Sequence, residues 1–206
     1  MLSKEQIENN KQEFIGLVES IDREGFNKED LLHQLEISEF YTAPASTKYH
    51  CSFEGGLCLH SLNVYKNMVE IFKSKPEINT YDSESIKLVG LFHDFYKLNF
   101  YEKTVVNKKV YSPKGTKQDE LGNFDWVSEQ GYGVKDASKR FIFGSNGETS
   151  EFRLRQYIPL TMDESAALIN VNCRDIDISC EAYNRHPLLT VVKAADLMAC
   201  YLDERS

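Results

Sequence analysis

Apolar residues recur at helical spacing along most of this chain. From about Ser3 to Ile21, the residues Ile7, Phe14, Leu17, Val18 and Ile21 share one face, and Ser3 followed by Gln6 has capping-box form. Arg23-Glu24-Gly25 closes that element. Asn27 or Lys28 then opens a short helix through Leu31, Leu32 and Leu35. Phe40 to Thr47, with Pro44 and small polar residues, reads as loop. Behind Gly55-Gly56 the spacing predicts a helix from about Leu57 to Lys73, with Leu62, Tyr65, Met68, Val69 and Phe72 on its apolar side. A strongly buried helix is expected from about Ser83 to Asn99, through Ile86, Val89, Gly90 and Phe92. Thr161 with Glu164 caps a helix from Met162 to Val171, and Pro187 starts a last one reaching about Leu202.

Between Lys103 and Leu160 the pattern changes. Glycine and charge rise, and alternation in Thr104-Val105-Val106 and from Phe152 to Ile158 predicts short strands. The stretch has too little apolar content for a core of its own. It reads as an insertion of one or two β-hairpins, at about 103–160, in a single domain spanning 1–206. The expected class is mainly α, a helical fold with a small β-hairpin insertion.

Composition narrows the function. With 206 residues, 41% hydrophobic and 27% charged, the chain is globular in character and of one-domain length. Its 24 Lys+Arg against 32 Asp+Glu give a net charge of −8, which argues against a long non-specific grip on a nucleic-acid backbone. No apolar run reaches membrane-span length, and the start, MLSKEQIENNKQEF, is polar where a signal peptide needs an apolar core. Cys51, Cys58, Cys173, Cys180 and Cys200 form no CxxC pair, so free thiols in a reducing cytoplasm are expected, buried or incidental to function.

The chemistry lies where polar residues interrupt apolar helices. Asp196 sits in the apolar run from Val191 to Cys200, where an unpaired carboxylate is costly and calls for a cation or metal partner. Lys193 is one candidate partner. His93-Asp94 follows Leu88-Val89-Gly90-Leu91-Phe92 and precedes Phe95, and His60 lies among Leu57, Leu59 and Leu62. Two imidazoles and two carboxylates are ligand types for a divalent transition metal. Each singly has a plainer reading, as a hydrogen-bonded core histidine or a salt-bridged aspartate.

In order, His60, His93-Asp94 and Asp196 resemble the H…HD…D signature of the HD superfamily of metal-dependent phosphohydrolases. Phe40 to Tyr65 looks like the segment that phage and bacterial HD hydrolases place around the first ligand. LVGLFHDFYKL, Leu88 to Leu98, looks like their HDxxK motif, and Tyr157 to Leu168 and Val191 to Glu204 look like the third and last segments. The resemblance implies a divalent metal (Mn, Co, Ni, Zn, Fe or Mg) held by His60, His93, Asp94 and Asp196. It also implies that Asp94 orients the attacking water and Lys97 offsets phosphate charge. Lys48, His50 and Glu54, before the first ligand helix, are expected to contact substrate. His33 and His186 lie in polar surroundings and read as incidental.

Many relatives with this layout carry two further histidines that hold a second metal. Here Asn146, in Gly144-Ser145-Asn146-Gly147-Glu148, and Asn172 stand in their places. An amide is a poor ligand beside an imidazole, so one metal per chain is expected, with both asparagines facing substrate. The substrate class implied is a nucleotide or another small phosphoester. Alternatives are a non-catalytic or weakly active nucleotide-binding HD domain, and a 3′–5′ exonuclease on single strands. The exonuclease would need a basic path from Lys108, Lys109, Lys114, Lys117, Lys135, Lys139 and Arg140. Nucleic acid ranks below a small phosphoester as partner, no membrane association is expected, and self-association stays open.

Overall fold

The computed structural model describes residues 1–78, 80–173 and 179–204. Helix α1, Lys4–Glu19, begins at Ser3, whose capping box with Gln6 forms as expected, and α2, Lys28–Ile37, begins at Asn27. The loop from Phe40 leads to α3, Gly56–Ser74, and α4 covers Ser83–Phe92. A three-stranded antiparallel sheet follows, made of β1 (Tyr101–Tyr111), β2 (Lys117–Asp119) and β3 (Gly122–Val134) in the order β1-β3-β2. Helices α5 (Asn146–Arg155), α6 (Met162–Val171), α7 (Cys180–Arg185) and α8 (Pro187–Met198) complete the chain, and α8 runs on into a π-helical turn at Ala199–Asp203. The class is mainly α with a small antiparallel sheet, as the patterning predicts. No helix among the described residues is long and apolar enough to cross a membrane.

Two expectations fail. The helix expected to run to Asn99 stops at Phe92, and Phe95–Lys97 forms a separate 3-10 turn. Asp94, at φ −105° and ψ 22°, has left helical geometry. Apolar periodicity persists past the break because Phe95 and Leu98 are buried by tertiary packing, not by helix continuation. The strand expected from Phe152 to Ile158 is instead the end of α5 and the turn behind it. Ser145 and Glu148 cap α5 reciprocally, a local signal stronger than the alternation downstream.

One core joins α1, α2, α3, α4, α6 and α8. Phe14 is its aromatic hub, with ring centroids 5.0 Å from Phe40, 6.1 Å from Tyr41 and 5.5 Å from Phe92. The sheet is mostly exposed, with Val105 and Trp126 open to solvent and only Tyr101 and Phe124 buried. Long-range polar contact fixes the helices further. Arg23 and Glu164 form a bidentate pair at 2.7 and 2.8 Å, while the Ser85 hydroxyl and the Thr161 N–H donate to the same carboxylate at 2.7 and 2.8 Å. This ties the end of α1 to α4 and α6.

Candidate metal centre

Helix α3 presents His60 because Gly90 lets α4 come close. A Cβ at Gly90 would lie 2.8 Å from the Tyr65 Cα, so any side chain there separates the two helices. The Gly90 carbonyl also accepts from His93 Nδ1 at 2.9 Å, which leaves Nε2 of that ring as a lone pair. On the other ring, His60 Nδ1 lies 3.1 Å from both Glu204 oxygens. Each imidazole therefore points Nε2 at the same spot, with the two atoms 3.2 Å apart.

The carboxylates converge there too. Asp196 Oδ1 lies 3.2 Å from His60 Nε2, and Asp94 Oδ2 lies 3.6 Å from His60 Nε2 and 3.5 Å from His93 Nε2. His60, His93 and Asp94 are buried, but Asp196 keeps 26% of its side chain exposed, less enclosed than its apolar neighbours suggest. That opening gives the centre a route to solvent. A protonated His60 offers one N–H at this point, against lone pairs from His93, Asp94 and Asp196. Once His60 gives up that proton, two imidazole nitrogens and two carboxylates face one another, a donor set that fits a divalent cation.

The charges reinforce one another. Burial alone would lower the His60 imidazole, but hydrogen bonds to Asp196 and Glu204 outweigh it and raise it to about 9. Burial works against ionised Asp94, yet the Lys97 ammonium and then His93 hold that carboxyl well below its usual range. Asp196 and Glu204 are likewise lowered, in each case because the His60 contact overcomes burial. An ion entering here must expel the His60 proton.

The structure places the other expected residues unevenly. Lys97 is buried, its ammonium 2.5 Å from Asp94 Oδ2 and donating to the Ala45 carbonyl at 2.7 Å. His50 is half-buried with its ring centroid 4.8 Å from that of His60. Lys48 is exposed with its ammonium over the Tyr49 ring, and exposed Glu54 stands 3.5 Å from Lys103. Neither contacts His60, His93, Asp94 or Asp196. Asn172 donates to the His93 carbonyl at 3.2 Å, whereas Asn146 is exposed at the start of α5. Lys193, the alternative partner for Asp196, donates to the Cys173 carbonyl. His186 pairs with Asp163 at 2.5 Å.

Sequence reasoning missed Glu204 and Asn63. Asn63 Nδ2 donates to Glu204 at 2.9 Å, so Glu204 is gripped by two α3 residues one turn apart. Four residues of α-helix overshoot a full turn by about 40°, so Asp196, Cys200 and Glu204 would drift round α8. The π turn rotates less per residue, and the Glu204 N–H bonds back to the Ala199 carbonyl at 3.0 Å. Glu204 thereby stays on the His60 side. The signal available in sequence was its spacing of eight from Asp196. Cys51, Cys58, Cys173 and Cys200 are free thiols, and the side chain of Cys180 lies outside the described residues.

No protein-family model, curated protein or solved structure matches this chain.

One prediction arises from the close approach at Gly90. Gly90→Ala overpacks the α3–α4 contact at a cost of about 1–3 kcal/mol, lowering Tm by roughly 5 °C. Divalent-metal affinity should fall with it, because the same contact aligns His60 with His93. Thermal unfolding and a metal titration on one sample check both.

Proposed function

We propose that the chain is a metal-dependent phosphohydrolase of the HD type, cytoplasmic, acting on a nucleotide or another small phosphoester with one divalent ion. The observation that carries this reading is the convergence of His60 from α3, His93-Asp94 from the end of α4, and Asp196 from α8 on one point. A bound divalent ion would supply Lewis acidity toward a phosphoryl oxygen and a water of low pKa. His60, His93, Asp94 and Asp196 would hold it. Glu204 and the Gly90 carbonyl fix the two rings, as outer partners of metal-binding histidines do. Asp94, ionised and anchored by Lys97, would orient the attacking water. Lys97 acts through Asp94, since its ammonium is engaged by that carboxylate and by Ala45.

The exonuclease reading is disfavoured by the insertion's charges. Lys109 pairs with Asp119 at 2.5 Å, Lys135 with Glu39 at 2.8 Å and Lys108 with Glu129 at 3.8 Å, which offsets three of the seven cations of the basic path. The test is phosphate release from a panel of nucleotides with manganese, cobalt, nickel, zinc, iron or magnesium added. Metal-dependent release from the intact chain, abolished in Asp94→Ala, is expected. Tight nucleotide binding with no release under any ion would make the chain a binding module instead.

A further inference from the structure

We propose that the cavity between α2, the Phe95–Lys97 turn and α5 is a second small-molecule site, which takes a planar aromatic ring bearing an anionic group. The cavity holds about 270 Å³, and Gln34, Phe95 and Arg153 line it from those three elements. It shares no lining residue with the metal centre, so the proposal stands apart from the reading of that centre.

Arg153 supplies the anion-binding group. Arg23, Arg155 and Arg185 each pair with a glutamate. Among the described residues no carboxylate pairs with Arg153, and its Nε is buried without a hydrogen-bond partner. Its guanidinium carbon lies 4.8 Å from the centroid of the Phe141 ring. Burial pushes the group below its ordinary pKa, against a smaller opposing effect of Tyr157. In a chain with 32 acidic residues, a half-buried cation left without one calls for an acceptor from outside. The guanidinium fork matches a carboxylate or a phosphate.

The walls call for a ring. Phe95, Phe141, Phe152 and Tyr157 line the cavity, and Asn99 and Gln156 add amides that can meet polar atoms on a ring edge. Phe141 and Phe143 lie 20° and 22° from parallel to Phe152, with centroids 5.8 and 4.2 Å away, yet they stay 48% and 49% exposed. Open aromatic faces beside an unpaired cation suit a ligand that is flat and negative. The shape is held in advance. The Thr149 hydroxyl accepts from the Phe143 N–H at 3.0 Å and donates to its carbonyl at 2.9 Å, while the Ser150 hydroxyl accepts from the Tyr96 N–H at 3.0 Å.

Calorimetric titration of the intact, metal-free chain with adenosine monophosphate, and separately with indole-3-acetate, tests this. One-to-one binding of at least one is expected. Adenosine monophosphate alone marks a mononucleotide site, whereas indole-3-acetate marks one open to aromatic carboxylates. Affinity should fall roughly 10–100-fold in Arg153→Gln and should survive in His60→Ala. Arg153→Lys, which keeps the charge and loses the fork, should fold as the native chain does and bind more weakly. Equal binding by the native chain, Arg153→Gln and Arg153→Lys overturns the proposal. Binding that survives in Arg153→Gln and disappears in His60→Ala assigns the ligand to the metal centre and also overturns it. So does the absence of binding by either ligand at millimolar concentration.

Discussion

His60→Ala is expected to leave the purified chain without stoichiometric divalent metal and without metal-dependent phosphate release, while helical circular dichroism persists. The loss should be total because His60 Nε2 stands within 3.6 Å of His93, Asp94 and Asp196 alike. The partner behind the ring gives a graded companion. Glu204→Gln keeps the shape but removes the charge that orients His60, so metal affinity should fall about 10–100-fold. Elemental analysis and equilibrium metal titration check both variants. A His60→Ala chain with full metal content would place the ion elsewhere.

Glu164→Ala should be strongly destabilising, and it lies away from the metal centre. It leaves the Arg23 guanidinium without its bidentate partner in a largely buried setting, and removing one member of such a pair costs about 3–5 kcal/mol. Tm should drop by roughly 10 °C, followed by calorimetry. The same group sets an acid limb. Burial pushes the Glu164 carboxyl up, but hydrogen bonds from Arg23, Ser85 and Thr161 outweigh it and hold the group below its ordinary value. A depressed carboxyl contributes stability that is complete above the unfolded-state value and is lost as pH falls through the folded-state value. Unfolding measured from neutral pH down to about pH 3 should therefore show a steeper decline for the native chain than for Glu164→Gln. Equal slopes would mean that the carboxylate contributes nothing at acid pH.

What could be read from sequence was mostly local. The caps at Ser3, Asn27 and Thr161 act within three residues, so the starts of α1, α2 and α6 were legible. The cluster of His60, His93, Asp94 and Asp196 was legible too, as polar residues in apolar surroundings. The end of α4 was not, because burial of Phe95 and Leu98 continues the apolar pattern after the helix has stopped. Nor was the Arg23–Glu164 pair, whose members stand 141 residues apart and meet only through packing. Glu204 escaped for a related reason, since a π turn aims it and periodicity at 3.6 residues does not anticipate it.

The central claim is that one divalent ion sits among His60, His93, Asp94 and Asp196. Anomalous scattering from a crystal of the full chain grown with cobalt or zinc locates it directly. The account predicts a peak within bonding distance of His60 Nε2, His93 Nε2 and the Asp94 and Asp196 carboxylates. A metal-saturated crystal whose peaks all lie away from these four side chains would contradict it.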